Sequence, residues 1–111
     1  MPINLLFICS RNQWRSPTAE KIYANDPRVN VRSAGTSRAA RRSITLKDVR
    51  WADKIVVMEH KHKQRIQATF RQDTDHKDIC VLDIPDEYTF MDDALIELLR
   101  DTIEPLLEQL P

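Results

Sequence analysis

Residues 9 to 16 combine the side-chain types needed for chemistry on a tetrahedral anion. Cys9 is followed by five residues and then by Arg15 and Ser16, a pattern of the form C-x5-R-S. A chain of this length can form a ring of backbone N–H groups around an anion, and a helix that begins there adds its partial positive charge. Arg15 can donate two parallel hydrogen bonds to phosphate oxygens. These surroundings favour the thiolate form of Cys9, which Ser16 can stabilise by donating a hydrogen bond, and we expect it to attack phosphorus as a nucleophile.

The sequence around this motif decides between that interpretation and a simpler one. Cys9 could be an ordinary buried thiol at the end of a strand, where cysteine acts as a small hydrophobic residue. The motif, however, follows an apolar run at residues 3–9 and precedes a helix predicted at residues 17–24, with Pro17 in its first turn and Ser16 available as its cap. Cys80 does not begin a second C-x5-R-S motif, because position 86, where the arginine would stand, is aspartate. The context therefore favours the nucleophile at Cys9.

Apolar runs rich in β-branched residues predict four strands, at residues 3–9, 29–34, 54–58 and 79–83. The first, third and fourth runs are nearly continuous, as expected for parallel strands covered on both faces. Helices are predicted at residues 17–24, 45–52 and 60–70. A last helix should begin at Asp92 or Asp93, bury its regularly spaced leucines and kink at Pro105.

Alternating strands and helices predict an α/β fold: a small parallel sheet with helices on both faces. Such sheets bind ligands beyond the carboxyl ends of their strands, where the winding of the chain reverses. The turn after the first strand is the usual place, and here it holds residues 9–16.

Chain length and charge distribution limit the number of domains and the kind of partner. We expect a single domain over residues 1–111. The net charge is zero, yet residues 1–50 carry ten Lys and Arg against three Asp and Glu, which favours an anionic partner. The alternative is an ordinary solvated surface on which these arginines pair with the acidic second half.

No cofactor or metal is expected, because two separated cysteines and the three histidines His60, His62 and His76 do not form a metal-ligand pattern. No apolar run approaches the roughly 20 residues that a membrane span requires, and residues 1–4 do not resemble a signal peptide. We therefore expect a cytoplasmic protein with no membrane partner, in which Cys9 and Cys80 are free thiols.

Four segments together resemble the low-molecular-weight protein tyrosine phosphatase family. They are LLFICSRNQWRSPTAE at 5–20, RSAGT at 32–36, WADKIVVMEHKH at 51–62 and DIPDEY at 83–88, in the order that the family has them. The resemblance implies a four-stranded parallel sheet with a phosphate loop after the first strand. It further implies Cys9 as nucleophile, Arg15 as phosphate clamp, Asn12 as the residue that braces the loop and Asp86 as general acid. The remaining phosphate-binding positions would be Ser10, Arg11, Gln13, Trp14 and Ser16.

Asp86 also has support from the residues alone. A phosphate ester needs its leaving oxygen protonated, and a water that attacks the phosphocysteine must then lose a proton. Asp86 follows the fourth strand and should reach the same edge of the sheet as the loop. The alternatives are a simple turn residue after Pro85, or a general acid at Asp83, Asp92 or Asp93.

Two positions in the loop depart from the family. Arg11 replaces a glycine, and Trp14 replaces a second cysteine that could protect Cys9 as a disulfide. Trp14 would instead form a wall of the substrate pocket together with Tyr88, or either ring could simply pack. The sequence alone leaves the oligomeric state open.

Three functions are consistent with the sequence. The first is a phosphatase that acts on a phosphorylated protein or a small phosphate ester, and we expect it in preference to the others. The second is a non-catalytic module that binds phosphoprotein or nucleic acid through Arg11, Arg38, Arg41 and Arg42. The third is an arsenate reductase, which would need Cys80 as a relay thiol; a Cys80 inside a strand argues against it.

Overall fold

Strands and helices alternate along residues 2–110, the part of the chain that this computed structural model describes. The strands are β1 (Ile3–Cys9), β2 (Val29–Gly35), β3 (Lys54–Val57) and β4 (Asp78–Val81). The helices are α1 (Arg15–Tyr23), α2 (Leu46–Trp51), α3 (His60–Thr69), α4 (Arg71–Thr74) and α5 (Asp93–Glu108). The predicted α/β class is confirmed, and only the four-residue α4 had no counterpart in the prediction.

The four strands form one parallel sheet in the order β2-β1-β3-β4. The chain leaves β1 for β2 on one side and later crosses back to β3 on the other side, so the winding reverses at β1. This is the position where parallel sheets of this kind hold their ligands. The loop that carries Cys9 therefore lies at the predicted place.

Both faces of β1 are buried, which explains its continuous apolar sequence. Leu5, Phe7 and Cys9 face one layer of the core, which is closed by α1 and α5. Leu6 and Ile8 face the other layer, under α2 and α3. A strand covered on both sides needs apolar side chains at every position.

Helix α1 begins earlier than predicted, and this corrects the role of Ser16. The helix starts at Arg15, and Trp14 at the cap position makes no side-chain capping hydrogen bond. Ser16 is therefore inside the helix and does not cap it; its hydroxyl faces Cys9 instead. Pro17 remains in the first turn, where the missing N–H costs nothing.

The starts of α2 and α5 are set by side chains that accept hydrogen bonds from free N–H groups. Thr45 and Asp48 form a reciprocal capping box at the start of α2. Asp92 caps α5 by accepting a hydrogen bond from the Ala94 N–H, and the helix continues past Pro105 to Glu108.

Strand β4 ends before Asp83, not at it as predicted. Asp83 has φ 62°, in the left-handed region, which interrupts an extended strand and which aspartate tolerates better than most residues. Ile84 then donates its N–H to the Met58 carbonyl, so the chain stays beside β3 while it turns toward the β1–α1 loop. This turn brings Asp86 to the ligand-binding edge of the sheet.

Candidate active site

The β1–α1 loop (residues 10–14) is held from inside by Asn12. Its backbone is left-handed, with φ 55°, and its side chain is fully buried. The Asn12 amide donates one hydrogen bond of 2.9 Å to the Ser16 hydroxyl and another of 2.9 Å to the Ser33 hydroxyl. Asn12 therefore ties the loop to α1 and to β2, as the resemblance implied.

Arg11 stands where the family resemblance implies a glycine, and the loop accommodates it. Arg11 is not among the described residues with positive φ, so an L-residue fits there without strain. The only glycine of the chain, Gly35, packs against the loop from β2. A Cβ at Gly35 would lie 2.5 Å from the Ser10 carbonyl oxygen, too close for any side chain. The close approach thus depends on a glycine at position 35.

Cys9 lies at the end of β1, next to an open cavity. The cavity has a volume of about 240 Å³ and is lined by Cys9, Arg11, Gln13, Trp14, Arg15 and Asp86. The Cys9 Sγ lies 3.0 Å from the Ser16 Oγ. Because the Ser16 oxygen already accepts a hydrogen bond from Asn12, its hydroxyl can donate to the sulfur.

Arg15 is almost completely buried, yet its guanidinium borders this cavity. It donates hydrogen bonds to the Glu59 carboxylate and, over 2.8 Å, to the Ile84 carbonyl oxygen. Its Nε lies 3.6 Å from an Asp86 carboxylate oxygen. Partial burial acts to raise the pKa of Glu59, but the Arg15 hydrogen bond and charge outweigh it, so the net pKa is lowered. Glu59 is therefore ionised at neutral pH and fixes the guanidinium beside the sulfur.

His62 supports the loop from α3. Its Nδ1 accepts the Glu59 backbone N–H at 3.0 Å, so the proton is on Nε2, which donates to the Ser10 hydroxyl at 2.9 Å. Burial, followed by the nearby positive charge of Arg15, lowers the pKa of His62 to about 4. The ring is therefore neutral at physiological pH.

Sequence reasoning assigned no role to Glu59 or to His62. The signal was available, since Glu59 lies two residues after β3 and His62 lies in the first turn of the helix that follows, and β3 lies beside β1 in a parallel sheet. Residues just beyond the carboxyl end of β3 must therefore meet the β1–α1 loop.

The structure brings most of the predicted site residues together. Cys9, Arg15 and Asp86 border one cavity, with Arg11, Gln13 and Trp14 around them. The side chains of Ser10, Asn12 and Ser16 are directed instead into the hydrogen bonds that support the loop.

The structure does not place Tyr88 at the cavity that Trp14 lines. Trp14 lines the cavity and is 42% exposed. Tyr88 is not among the residues that line this cavity; it is half-buried against the core layer beneath α1 and α5. The turn after Asp86 directs the tyrosine ring into the core.

Two of the four arginines named for a binding module have structural partners. Arg41 donates from its Nε to the Asn12 carbonyl at 3.0 Å, and Arg42 contacts Asp48 at 2.6 Å. Elsewhere the basic first half and the acidic second half do pair, as in the contact of Arg28 with Glu104.

Over residues 2–110, no group of three or more His, Cys, Asp and Glu side chains is arranged to hold a metal ion. In the same part of the chain, no helix is both long enough and apolar enough to cross a membrane.

Several solved phosphatases share this fold. The tyrosine phosphatase Wzb from Escherichia coli K30, solved in complex with phosphate, is 24% identical over all of both chains, with a TM-score of 0.80. SP-PTP, a low molecular weight protein tyrosine phosphatase from Streptococcus pyogenes, is 19% identical over all of this chain and 94% of its own, with a TM-score of 0.81. The YwlE arginine phosphatase from Geobacillus stearothermophilus is 23% identical over 97% of this chain and 92% of its own, with a TM-score of 0.78.

Comparison of the sequence by itself gives no such match. No model of a protein family matches the chain, and no curated protein does. The likeness is therefore carried by the three-dimensional structure. The chain has the fold of the low-molecular-weight protein tyrosine phosphatases, as its sequence motifs predicted.

Proposed function

We propose that the protein is a cysteine-dependent phosphatase that hydrolyses phosphorylated proteins through a phosphocysteine intermediate. The observation that carries this proposal is the meeting of a thiol, a buried guanidinium and a carboxyl around one cavity: Cys9, Arg15 and Asp86. Free thiols such as Cys9 and Cys80 suit the reducing cytoplasm, where we expect the protein to act.

In the first step the Cys9 thiolate attacks phosphorus. A bond forms between sulfur and phosphorus while the bond from phosphorus to the ester oxygen breaks. Asp86, in its protonated form, gives its proton to that leaving oxygen. Arg15 and the N–H groups of the loop stabilise the charge on the other phosphate oxygens.

The second step releases phosphate. A water molecule attacks the phosphorus of the phosphocysteine and transfers a proton to the Asp86 carboxylate, which the first step left ionised. The bond between sulfur and phosphorus breaks, and the thiolate returns with its hydrogen bond from Ser16. One carboxyl thus serves both steps.

A structure with the same fold supports a covalent intermediate. The substrates of such structures fall into two classes, phosphotyrosine and phosphoarginine. A mutant YwlE arginine phosphatase, 25% identical to this chain with a TM-score of 0.70, has a phosphorylated active-site serine. The tyrosine phosphatases Wzb and SP-PTP favour phosphotyrosine, whereas YwlE is an arginine phosphatase. We propose phosphotyrosine, because the exposed Trp14 ring offers an aromatic wall for a phenyl ring.

Turnover of p-nitrophenyl phosphate by the purified protein tests the proposal. We expect release of p-nitrophenol, its loss in Cys9→Ser, and unchanged release in the control variant Cys80→Ser. A protein that binds inorganic phosphate in a calorimeter but releases no p-nitrophenol would be the non-catalytic module. Competition between a phosphotyrosine peptide and a phosphoarginine peptide then identifies the substrate class.

A further inference from the structure

A second concave surface lies directly beside the Cys9 cavity. It is an open groove of about 530 Å³ along one stripe of α1, from Pro17 to Ala24, and Gln13, Arg41 and Phe90 form its remaining walls. We call it the α1 groove. Gln13 lines both this groove and the Cys9 cavity, so the two surfaces adjoin at this residue. A molecule anchored at Cys9 can therefore extend into the groove.

Phe90 is held at the edge of this groove in an exposed position. It is 46% exposed, although a phenylalanine is normally buried. The next residue, Met91, has φ 61°, an uncommon value for a residue other than glycine. The Met91 N–H donates to the Thr18 hydroxyl on α1 over 3.0 Å, which fixes the turn. The turn that carries the ring is thus tied to α1 by a hydrogen bond, and the ring lies at the wall of the groove.

The dimensions of the groove suit a short stretch of extended polypeptide. From Pro17 to Ala24 the helix rises about 10 Å, which corresponds to roughly three residues of an extended chain. Phe90 offers an apolar contact. Lys21 and Arg41, against the single carboxylate of Glu20, give the walls a net positive charge.

We propose that the α1 groove binds the polypeptide that flanks a phosphorylated side chain in the Cys9 cavity. The substrate is then a phosphorylated protein with an apolar residue within about three positions of the phosphate-bearing residue, and not a small phosphate ester. This inference rests on the proposed phosphatase function. A free ester such as a sugar phosphate would leave the groove and the Phe90 ring unused.

The test compares three substrates with the variant Phe90→Ala. They are p-nitrophenyl phosphate, a phosphotyrosine peptide with leucine at the second and third positions on both sides, and the same peptide with glycine there. Loss of the ring should lower kcat/KM for the leucine peptide about tenfold, the expected value of one aromatic contact. Turnover of the other two should stay within about twofold, because Phe90 does not line the Cys9 cavity.

Two further variants serve as controls. Phe90→Trp keeps an apolar ring and should retain the preference for the leucine peptide. Leu46→Ala removes an equally exposed apolar side chain on the opposite face of the sheet and should change none of the three rates. Equal losses of turnover in Phe90→Ala for all three substrates, or no loss for any of them, would overturn the inference.

A binding measurement separates this inference from the proposed function. In a Cys9→Ser background, Phe90→Ala should weaken binding of the labelled leucine peptide about tenfold in fluorescence anisotropy. Phe90-dependent binding without any turnover by the wild-type protein would refute the phosphatase and leave the groove assignment standing. Turnover without dependence on Phe90 would refute the groove assignment and leave the phosphatase standing. A dimer in sedimentation that dissociates in Phe90→Ala would show that a second copy covers the ring, and would also overturn the inference.

Discussion

The hydroxyl oxygen of Ser16 lies 3.0 Å from the sulfur of Cys9. It also accepts a hydrogen bond of 2.9 Å from the Asn12 amide, so its own proton is available to the sulfur. The other acceptor within reach, the Ala34 carbonyl oxygen, is 3.5 Å away, at the limit of a hydrogen bond. Ser16 thus connects the buried brace of the loop to the nucleophile, and this relationship can be tested directly.

Replacing Ser16 with alanine should slow the reaction without unfolding the protein. A hydrogen bond to a charged group contributes about 1.5–3 kcal/mol, so kcat for p-nitrophenyl phosphate should fall roughly 10- to 100-fold. Alkylation of Cys9 by iodoacetamide at neutral pH should slow as well, because less of the thiol is ionised. Both rates are best measured in a Cys80→Ser background, so that only one thiol reacts.

Ser37→Ala is the control for this prediction, since it removes a half-buried hydroxyl that accepts a hydrogen bond from the Ala39 N–H in a turn. It should alter neither rate. A Ser16→Ala enzyme with the kcat and the alkylation rate of the wild type would show that the serine does not stabilise the thiolate.

The Asp86 carboxyl should matter most when the leaving group is poor. Its oxygen lies 3.6 Å from the Arg15 Nε, and it lines the same cavity as Cys9. Asp86→Asn should lower kcat for phenyl phosphate about 100-fold or more, but much less for p-nitrophenyl phosphate, because p-nitrophenolate leaves without full protonation. Rates for a series of substituted phenyl phosphates measure this difference.

The pH profile gives a second measure of the same residue. Activity needs an ionised thiol and a protonated carboxyl, so the profile should be bell-shaped. Asp86→Asn should lose the decline on the alkaline side. Asp83→Asn is a matched control, because asparagine also tolerates the left-handed backbone at this position. If Asp83→Asn, and not Asp86→Asn, shows these effects, the general acid is misassigned.

His62 should make the protein less stable in mild acid. Its pKa is about 4 in the folded protein and about 6.5 when exposed, so between these values the unfolded chain binds the additional proton. The contribution of His62 is therefore fully present above about pH 6.5 and is lost as the pH falls toward 4. Over that interval the free energy of unfolding should decrease by about 2–3 kcal/mol, which urea denaturation at several pH values can measure.

His62→Gln should remove most of this pH dependence, because the amide does not titrate. His60→Gln is the control, since His60 is exposed two residues away on the same helix and should leave the dependence in place. Equal slopes in the wild type and in His62→Gln would mean that other groups cause the acid sensitivity.

The parts of the fold that the sequence predicted are those set by local patterns. Continuous apolar runs require burial on two faces, and together with the alternation of strands and helices they predicted a parallel sheet with helices on both faces. The spacing of Cys9 and Arg15 likewise predicts a loop around an anion, because the geometry depends on a few consecutive residues.

The parts that were missed depend on contacts between distant segments. Glu59 reaches Arg15 across 44 positions, and the ring of Tyr88 turns into a core made largely by α1 and α5. Serine is typical of helix caps, which predicts a cap at Ser16, but the helix starts two residues earlier than predicted and the Ser16 hydroxyl faces Cys9. Local preference gave way to a contact with the nucleophile.

The positions of the two cysteines argue against a disulfide relay between them. Phe7 lies opposite Val56, and Val56 lies opposite Cys80. Neighbouring strands are about 4.8 Å apart, so Cys80 is roughly 10 Å across the sheet from Phe7 and farther from Cys9, beyond the reach of about 7 Å between the Cα atoms of a disulfide. Burial also raises the pKa of Cys80, which makes it a poor attacking thiol.

Oxidation of the protein should therefore damage Cys9 without a rescue by Cys80. Hydrogen peroxide should inactivate the wild type and Cys80→Ser at the same rate, because no nearby thiol captures the sulfenic acid. Mass spectrometry of peptides should show Cys9 with two or three added oxygens, and dithiothreitol should not restore activity. A peptide pair joined through Cys9 and Cys80, or faster loss of activity in Cys80→Ser, would contradict this prediction. It would also revive the arsenate reductase hypothesis, since the sheet would then have to open far enough for the two sulfurs to meet.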